Sequence, residues 1–90
     1  MLQTISIIVK GKVQGVFYRQ STREKAKELG ITGTVENLDN DDVEVIATGT
    51  VDQLDRLTDW CKQGPPRANV TDIIITSLSL QSFNDFSIIK

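Results

Sequence analysis

The stretch Gly11-Lys12-Val13-Gln14-Gly15-Val16-Phe17-Tyr18-Arg19 joins an alternating apolar segment to a run of helix formers, and that junction suits an anion. Backbone N–H groups of a strand-to-helix loop can point at one ligand, and the helix N-terminus adds a partial positive charge. Gly15 lets the backbone approach that ligand with no side chain in the way. Arg19 falls in the first helical turn, where a cation works against the helix dipole by ~0.3–1 kcal/mol. A bound oxyanion would offset that cost, and a planar guanidinium can grip two phosphate oxygens at once. Taken alone, the stretch does not separate an anion cradle from a glycine-containing turn that carries an incidental surface arginine. It is not a Walker A loop, since no Gly-Lys-Ser or Gly-Lys-Thr is present.

The chemistry open to this chain is narrowed by what it lacks. It has 90 residues and no histidine, so neither an imidazole base nor an imidazole metal ligand is available. Catalysis without that proton shuttle favours a substrate with an intrinsically good leaving group. The formal net charge is −2, which argues against a nucleic-acid-binding surface while leaving room for a locally basic pocket. The first nine residues carry no basic stretch and no long apolar core, and no apolar run approaches the ~20 residues of a membrane span. The single Cys61 cannot form an internal disulfide, which fits a reducing compartment; the expected location is the cytoplasm.

The elements that must position the loop follow from periodicity. Residues 1–90 are read as one domain, without repeats or linkers. Thr4 to Val9 alternates, with Ile5, Ile7 and Val9 on one face, and reads as a strand. Gly11 to Val16 is expected to be a loop. Tyr18 to Leu29 is rich in helix formers, with Thr22, Ala26 and Leu29 as its inner face and Gly30 as its C-terminal glycine. Ile31–Leu38 and Asp42–Thr48 read as strands joined at Asp39-Asn40-Asp41 as a hairpin. Thr50 and Gln53 form a capping box for a second helix with Leu54, Leu57 and Cys61 or Trp60 inward, and Gly64-Pro65-Pro66 stops it. Val70–Leu80 and Phe86–Ile89 complete the set as strands. This order predicts an α+β, ferredoxin-like sandwich: an antiparallel sheet with both helices on one face, plus a short terminal strand.

Gly11 to Arg19 resembles the acylphosphatase signature G-x-V-Q-G-V-x-[FY]-R at every specified position. Gly33 to Gly49 is similar to the second signature of that family, with Gly33, Val35, Asn37, Val43 and Gly49 in register. Gly64 to Val70 also looks like the family's helix-to-strand connection. The resemblance implies an enzyme that hydrolyses the carboxyl–phosphate bond of acyl phosphates, releasing a carboxylate and inorganic phosphate. It implies that the loop Gln14, Gly15, Val16, Phe17, Tyr18 and Arg19 binds the phosphoryl group through backbone amides. Arg19 would be the catalytic arginine and Asn37 would orient the attacking water. It further implies a monomer without metal or cofactor. Elementary chemistry is compatible with that scheme. The leaving carboxylate has a conjugate acid of pKa ~4 and needs no general acid. Phosphoryl transfer is loose, so positioning and charge stabilisation supply most of the catalysis. An Asn carbonyl can accept from a water and fix its direction.

Three residues depart from the family pattern. Thr34 stands where an aromatic is usual, which would loosen packing beside the site. Glu36 replaces a basic or neutral residue, although alternation turns it away from Asn37. Asp41 replaces a hairpin glycine, so Asn40 or Asp41 must take the left-handed conformation. Other patterns are set aside. Cys61 to Arg67 spells C-x5-R, but Pro65 and Pro66 lack the N–H groups such a phosphate loop needs, and Cys61 lies near a helix C-terminus. Asp39, Asp41, Asp42 and Glu44 read as a solvated turn rather than a cation site. Trp60 follows the helical core spacing. Lys10 and Lys12 either strengthen the field at the loop mouth or serve solubility. The rival functions are a non-catalytic phosphometabolite-binding module of the same fold and, far weaker for an acidic chain with few aromatics, a nucleic-acid-binding sandwich.

Overall fold

The alternation of Ile5, Ile7 and Val9 becomes strand β1, Gln3–Lys12, in the computed structural model of the chain, whose described residues are 1–89. Helix α1 spans Tyr18–Leu29. Strands β2 (Thr32–Asn37) and β3 (Val43–Gly49) form the hairpin, helix α2 spans Val51–Gln63, and β4 (Asn69–Leu78) and β5 (Phe86–Ile88) follow. The sheet runs β4-β1-β3-β2-β5. Its first four strands are antiparallel to their neighbours, as expected of a ferredoxin-like sandwich. The terminal strand differs: β5 lies parallel to β2, with Val35 opposite Ile88.

One face of the sheet carries the core. Ile5, Ile7, Val9, Val35, Val43, Val45 and Ala47 are buried there against Ala26 of α1 and Leu54, Leu57 and Cys61 of α2. Register then fixes the faces of neighbouring side chains, because successive strand residues alternate. Asn37 pairs with Val43 and follows Val35 by two, so it shares the helix-covered face. Thr34 and Glu36 lie opposite Ile46 and Glu44 on the other face. Thr34 therefore lies on the face away from Asn37, and Glu36 points away from Asn37 as well.

Local signals explain the helix ends. Thr50 Oγ1 accepts from Gln53 N–H at 3.2 Å while Gln53 Oε1 accepts from Thr50 N–H at 2.8 Å, completing the capping box of α2. Gln53 also donates through Nε2 to Leu29 O at 2.9 Å, tying the start of α2 to the end of α1. After β4, Gln81 is held at the ends of β1 and β3: its N–H donates to Thr4 Oγ1 at 2.9 Å, and its carbonyl accepts from Thr48 Oγ1 at 2.8 Å. The chain thus crosses from one sheet edge to the other before β5 begins. Among the described residues, no helix is long and apolar enough to cross a membrane.

The expected loop beginning at Gly11 is corrected by two residues. β1 continues through Lys12, because a register shift between Lys10 and Gly11 keeps it paired with Val70 and Asn69 of β4. Gly11 has φ +120°, and a Cβ there would run into the Asn69 carbonyl. Only glycine permits both the bulge and the close strand approach. Gly11→Ala should therefore lower stability by more than about 1 kcal/mol, measured by urea unfolding; an unchanged midpoint would contradict this account.

Candidate functional site

Between Lys12 and Tyr18 the chain must turn from β1 into α1 in five residues. Two positive-φ residues make the turn: Gly15 at 73° and Phe17 at 66°. The position at Gly15 opens on free space, so glycine serves conformation there rather than clearance from a neighbouring group. Phe17 is the more informative residue. A bulky aromatic in the left-handed region costs of order 1 kcal/mol or more, and the residue is 63% exposed, so packing does not hold it there.

The same residue is the N-cap of α1, and it provides no side-chain cap. The first helical N–H groups, of Tyr18, Arg19 and Gln20, have no intrahelical partner. The N–H groups of Gly15, Val16 and Phe17 have no backbone acceptor among the described residues. No acidic residue occupies the first turn to offset the dipole. Arg19 is half-buried in that turn and makes no ion pair or hydrogen bond among the described residues. Positive potential from the helix end, the free amides and the guanidinium therefore adds in one place.

An open pocket of about 340 Å³ lies against this junction, lined by Val13, Gly15, Phe17, Tyr18, Arg19, Gln20 and Ile88. Gln14, Val16 and Asn37 are not in its wall. Val16 is buried in the core. The Gln14 amide turns to the β2–β3 hairpin, donating to Leu38 O at 2.9 Å and Asp42 O at 2.8 Å. That clasp joins the loop to the residue after Asn37. Asn37 Oδ1 is itself buried and has no hydrogen-bond partner. An unpartnered buried acceptor costs ~1–3 kcal/mol, so it asks for a donor.

The acylphosphatase family model matches residues 5–88. The chain belongs to the acylphosphatase family. An acylphosphatase of Marinobacter nauticus is 49% identical over 81 residues, 89% of this chain and 88% of that one. The structure of an acylphosphatase from Coxiella burnetii superposes with a TM-score of 0.93 at 42% identity, covering 97% of this chain and 92% of the other. That of an acylphosphatase from Bacillus subtilis gives 0.94 at 37% identity and covers both chains completely.

Within this acylphosphatase-family site, three side chains serve the scaffold. Tyr18 is 1% exposed; its hydroxyl donates to Cys61 O at 2.7 Å and its ring lies 5.6 Å from that of Trp60. It pins α1 to α2, so only its backbone N–H is available to an anion. Sequence periodicity missed this inward Tyr18. Lys10, left open between a source of field at the loop mouth and a solubility role, is paired with Asp42 at 2.8 Å. Asp41 takes the left-handed turn position at φ 75°. Ile88 was also missed, because a short terminal strand has no pattern that announces its neighbour in space.

Cys61 is fully buried, and burial pushes its thiol up to about 12 despite the opposing hydrogen bond with Tyr18. That is the reverse of an activated thiolate, so the C-x5-R spacing has no phosphatase chemistry behind it. Two outcomes follow from these contacts. Gln14→Ala should cost about 1–3 kcal/mol in urea unfolding by leaving the hairpin carbonyls short of a donor. For Cys61, both states keep the proton below the ordinary thiol pKa of 9, and only the unfolded chain loses it as pH rises toward 12. Stability should then fall with pH across that window, and Cys61→Ala should make the fall shallower. An identical alkaline slope in the variant would contradict the burial argument.

Proposed function

We propose that this chain hydrolyses acyl phosphates to a carboxylate and inorganic phosphate, without metal or cofactor. The observation that carries the proposal is Arg19, unpaired among the described residues, in the first turn of a helix that has no cap and no acidic neighbour. Such a site is costly empty and favourable with an oxyanion bound.

The phosphoryl oxygens take the amides of residues 15–20 and the Arg19 guanidinium, which spread and neutralise charge as the P–O bond to the acyl group lengthens. A water donates one hydrogen bond to Asn37 Oδ1, leaving an oxygen lone pair directed at phosphorus. The water oxygen bonds to phosphorus, the acyl oxygen leaves with the bonding electrons as a carboxylate, and the water's proton passes to phosphate or solvent. No group of this chain needs to protonate a leaving group that departs as a stable anion. A phosphate monoester, which must expel an alkoxide, is a poor substrate by the same reasoning.

The rival reading, a module that binds a phosphorylated metabolite without turnover, does not need Asn37. A buried acceptor with no partner has no use in anion binding, since it would repel an oxyanion. We read the active unit as a single chain, because the loop, α1, β2 and β5 of one copy build the site. The buried, unbridged Cys61 fits a cytoplasmic setting.

The test is hydrolysis of benzoyl phosphate in EDTA, with an aryl phosphate monoester alongside. Asn37→Ala should reduce kcat by at least ~10²-fold while phosphate inhibition is largely kept. Arg19→Ala should weaken both phosphate inhibition and turnover. Wild-type kcat in Asn37→Ala would overturn the water-orienting role, and no turnover with phosphate still bound would favour the binding module.

A further inference from the structure

The pocket beside the amide cradle is larger than a phosphoryl group needs, and the surplus is apolar. Beyond Gly15 and the guanidinium of Arg19, its wall is built from Val13, Phe17, Tyr18 and Ile88, with Gln20 as the remaining polar residue. Val13 and Tyr18 are almost fully buried and form the floor. Phe17 and Ile88 are different: they are 63% and 37% exposed, in a small domain with other apolar surface to cover. Phe17 is the one aromatic side chain classed as exposed among the described residues, and it stands on a strained backbone at the mouth of the cradle. Ile88 reaches the same pocket from the far end of the chain, because β5 pairs in parallel with β2 and places it opposite Val35.

We infer that Phe17 and Ile88 form an acyl-group subsite that selects acyl phosphates with an aromatic or bulky apolar acyl moiety. This rests on the hydrolase reading above. The bond to be broken joins phosphorus to the acyl oxygen, so with the phosphoryl group on the amides of residues 15–20 the acyl group must leave the cradle through its mouth. That mouth is where the Phe17 ring and the Ile88 side chain stand. An aryl or branched acyl group loses apolar surface to both, whereas an acetyl group reaches little of either. An acyl group bearing a second anion gains nothing comparable, because Arg19 is the one charged residue lining the pocket and the phosphoryl group already occupies it. The strain at Phe17 gains a second purpose here: the positive φ that converges the amides also turns the ring out beside them.

The test uses acylphosphonates, whose P–C bond is not hydrolysed, so binding is read apart from catalysis. Affinities of benzoylphosphonate and acetylphosphonate are measured by calorimetry, each relative to inorganic phosphate, for the wild type and two variants. Ile88→Thr keeps the β-branched strand shape, and Phe17→Asn tolerates the positive φ, so both variants should fold. The wild type should prefer benzoylphosphonate by on the order of 10-fold, and each variant should cut that preference to about 3-fold or less. A wild-type preference below about 2-fold, or one unchanged in both variants, would overturn the subsite. Turnover of benzoyl phosphate is followed separately. Absence of turnover with the binding preference intact would overturn the hydrolase reading and leave the subsite standing.

Discussion

A helix that starts without a cap leaves three N–H groups with no partner, and in this chain the structure around that start makes the deficit worse instead of repairing it. Phe17 offers no side-chain acceptor, no carboxylate enters the first turn, and a guanidinium is added. Each choice opposes helix stability by a fraction of a kcal/mol to about 1 kcal/mol. The rest of the molecule has to hold that arrangement in place. The Tyr18 hydroxyl anchors the first turn to the α2 backbone, and Thr22 Oγ1 returns a bond to Tyr18 O at 2.7 Å. The loop cannot relax away from the hairpin because Gln14 is bonded to two of its carbonyls. The positive end of α1 is thus fixed by contacts on the side facing the core, and its other side opens on the pocket.

The sheet supplies the second half of the arrangement through register alone. A one-residue slip of β2 against β3 would carry Asn37 to the open face and Glu36 to the helix-covered one, exchanging a neutral amide for a buried charge. Three features oppose the slip. Gly33 lies so close to Ile46 that a side chain would strike its carbonyl oxygen. Val35 fits the core between Val45 and Ile88 in the cross-strand pairing. The hairpin turn is closed by Leu38 N–H to Asp42 O at 2.8 Å and by Asp42 N–H to Asn40 Oδ1 at 3.1 Å. Hairpin chemistry therefore decides whether Asn37 or Glu36 takes the helix-covered face of the sheet.

Local patterns carried most of the fold into view from the sequence. Alternation in β1 and β3, the Thr50–Gln53 box and Gly30 each act over a few residues, and each was realised. Strand alternation turned Glu36 away from Asn37, and the register of β2 agrees. What stayed hidden depends on contacts distant in sequence. The continuation of β1 through Gly11 is set by the approach of Asn69, which no pattern near Gly11 reveals. Tyr18 reads as part of an anion loop, yet its ring belongs to the interface with α2, 43 residues on. Ile88 enters the pocket only because the segment after β4 crosses the sheet and is caught by Thr4 and Thr48. The backbone of Phe17 runs against residue preference, and preference is the basis of local reading.

That last disagreement also bears on why so small a domain tolerates its site. Folded domains are stable by only ~5–15 kcal/mol, so a left-handed aromatic, a cation against a dipole and an unpartnered buried amide are each a noticeable fraction. They are not scattered: Phe17 and Arg19 share the opening turn of α1, and Asn37 is one residue from the carbonyl that Gln14 clasps. Elsewhere the chain has a satisfied capping box, a left-handed glycine at the end of α1 and one contiguous core cluster. A chain with no histidine has no proton shuttle with which to adjust itself during a reaction. Its electrostatics must be in place before substrate arrives, and groups held in place before a ligand binds are unpaired until it does. On the proposed reading, the local costs at Phe17, Arg19 and Asn37 are the ground-state form of that preorganisation.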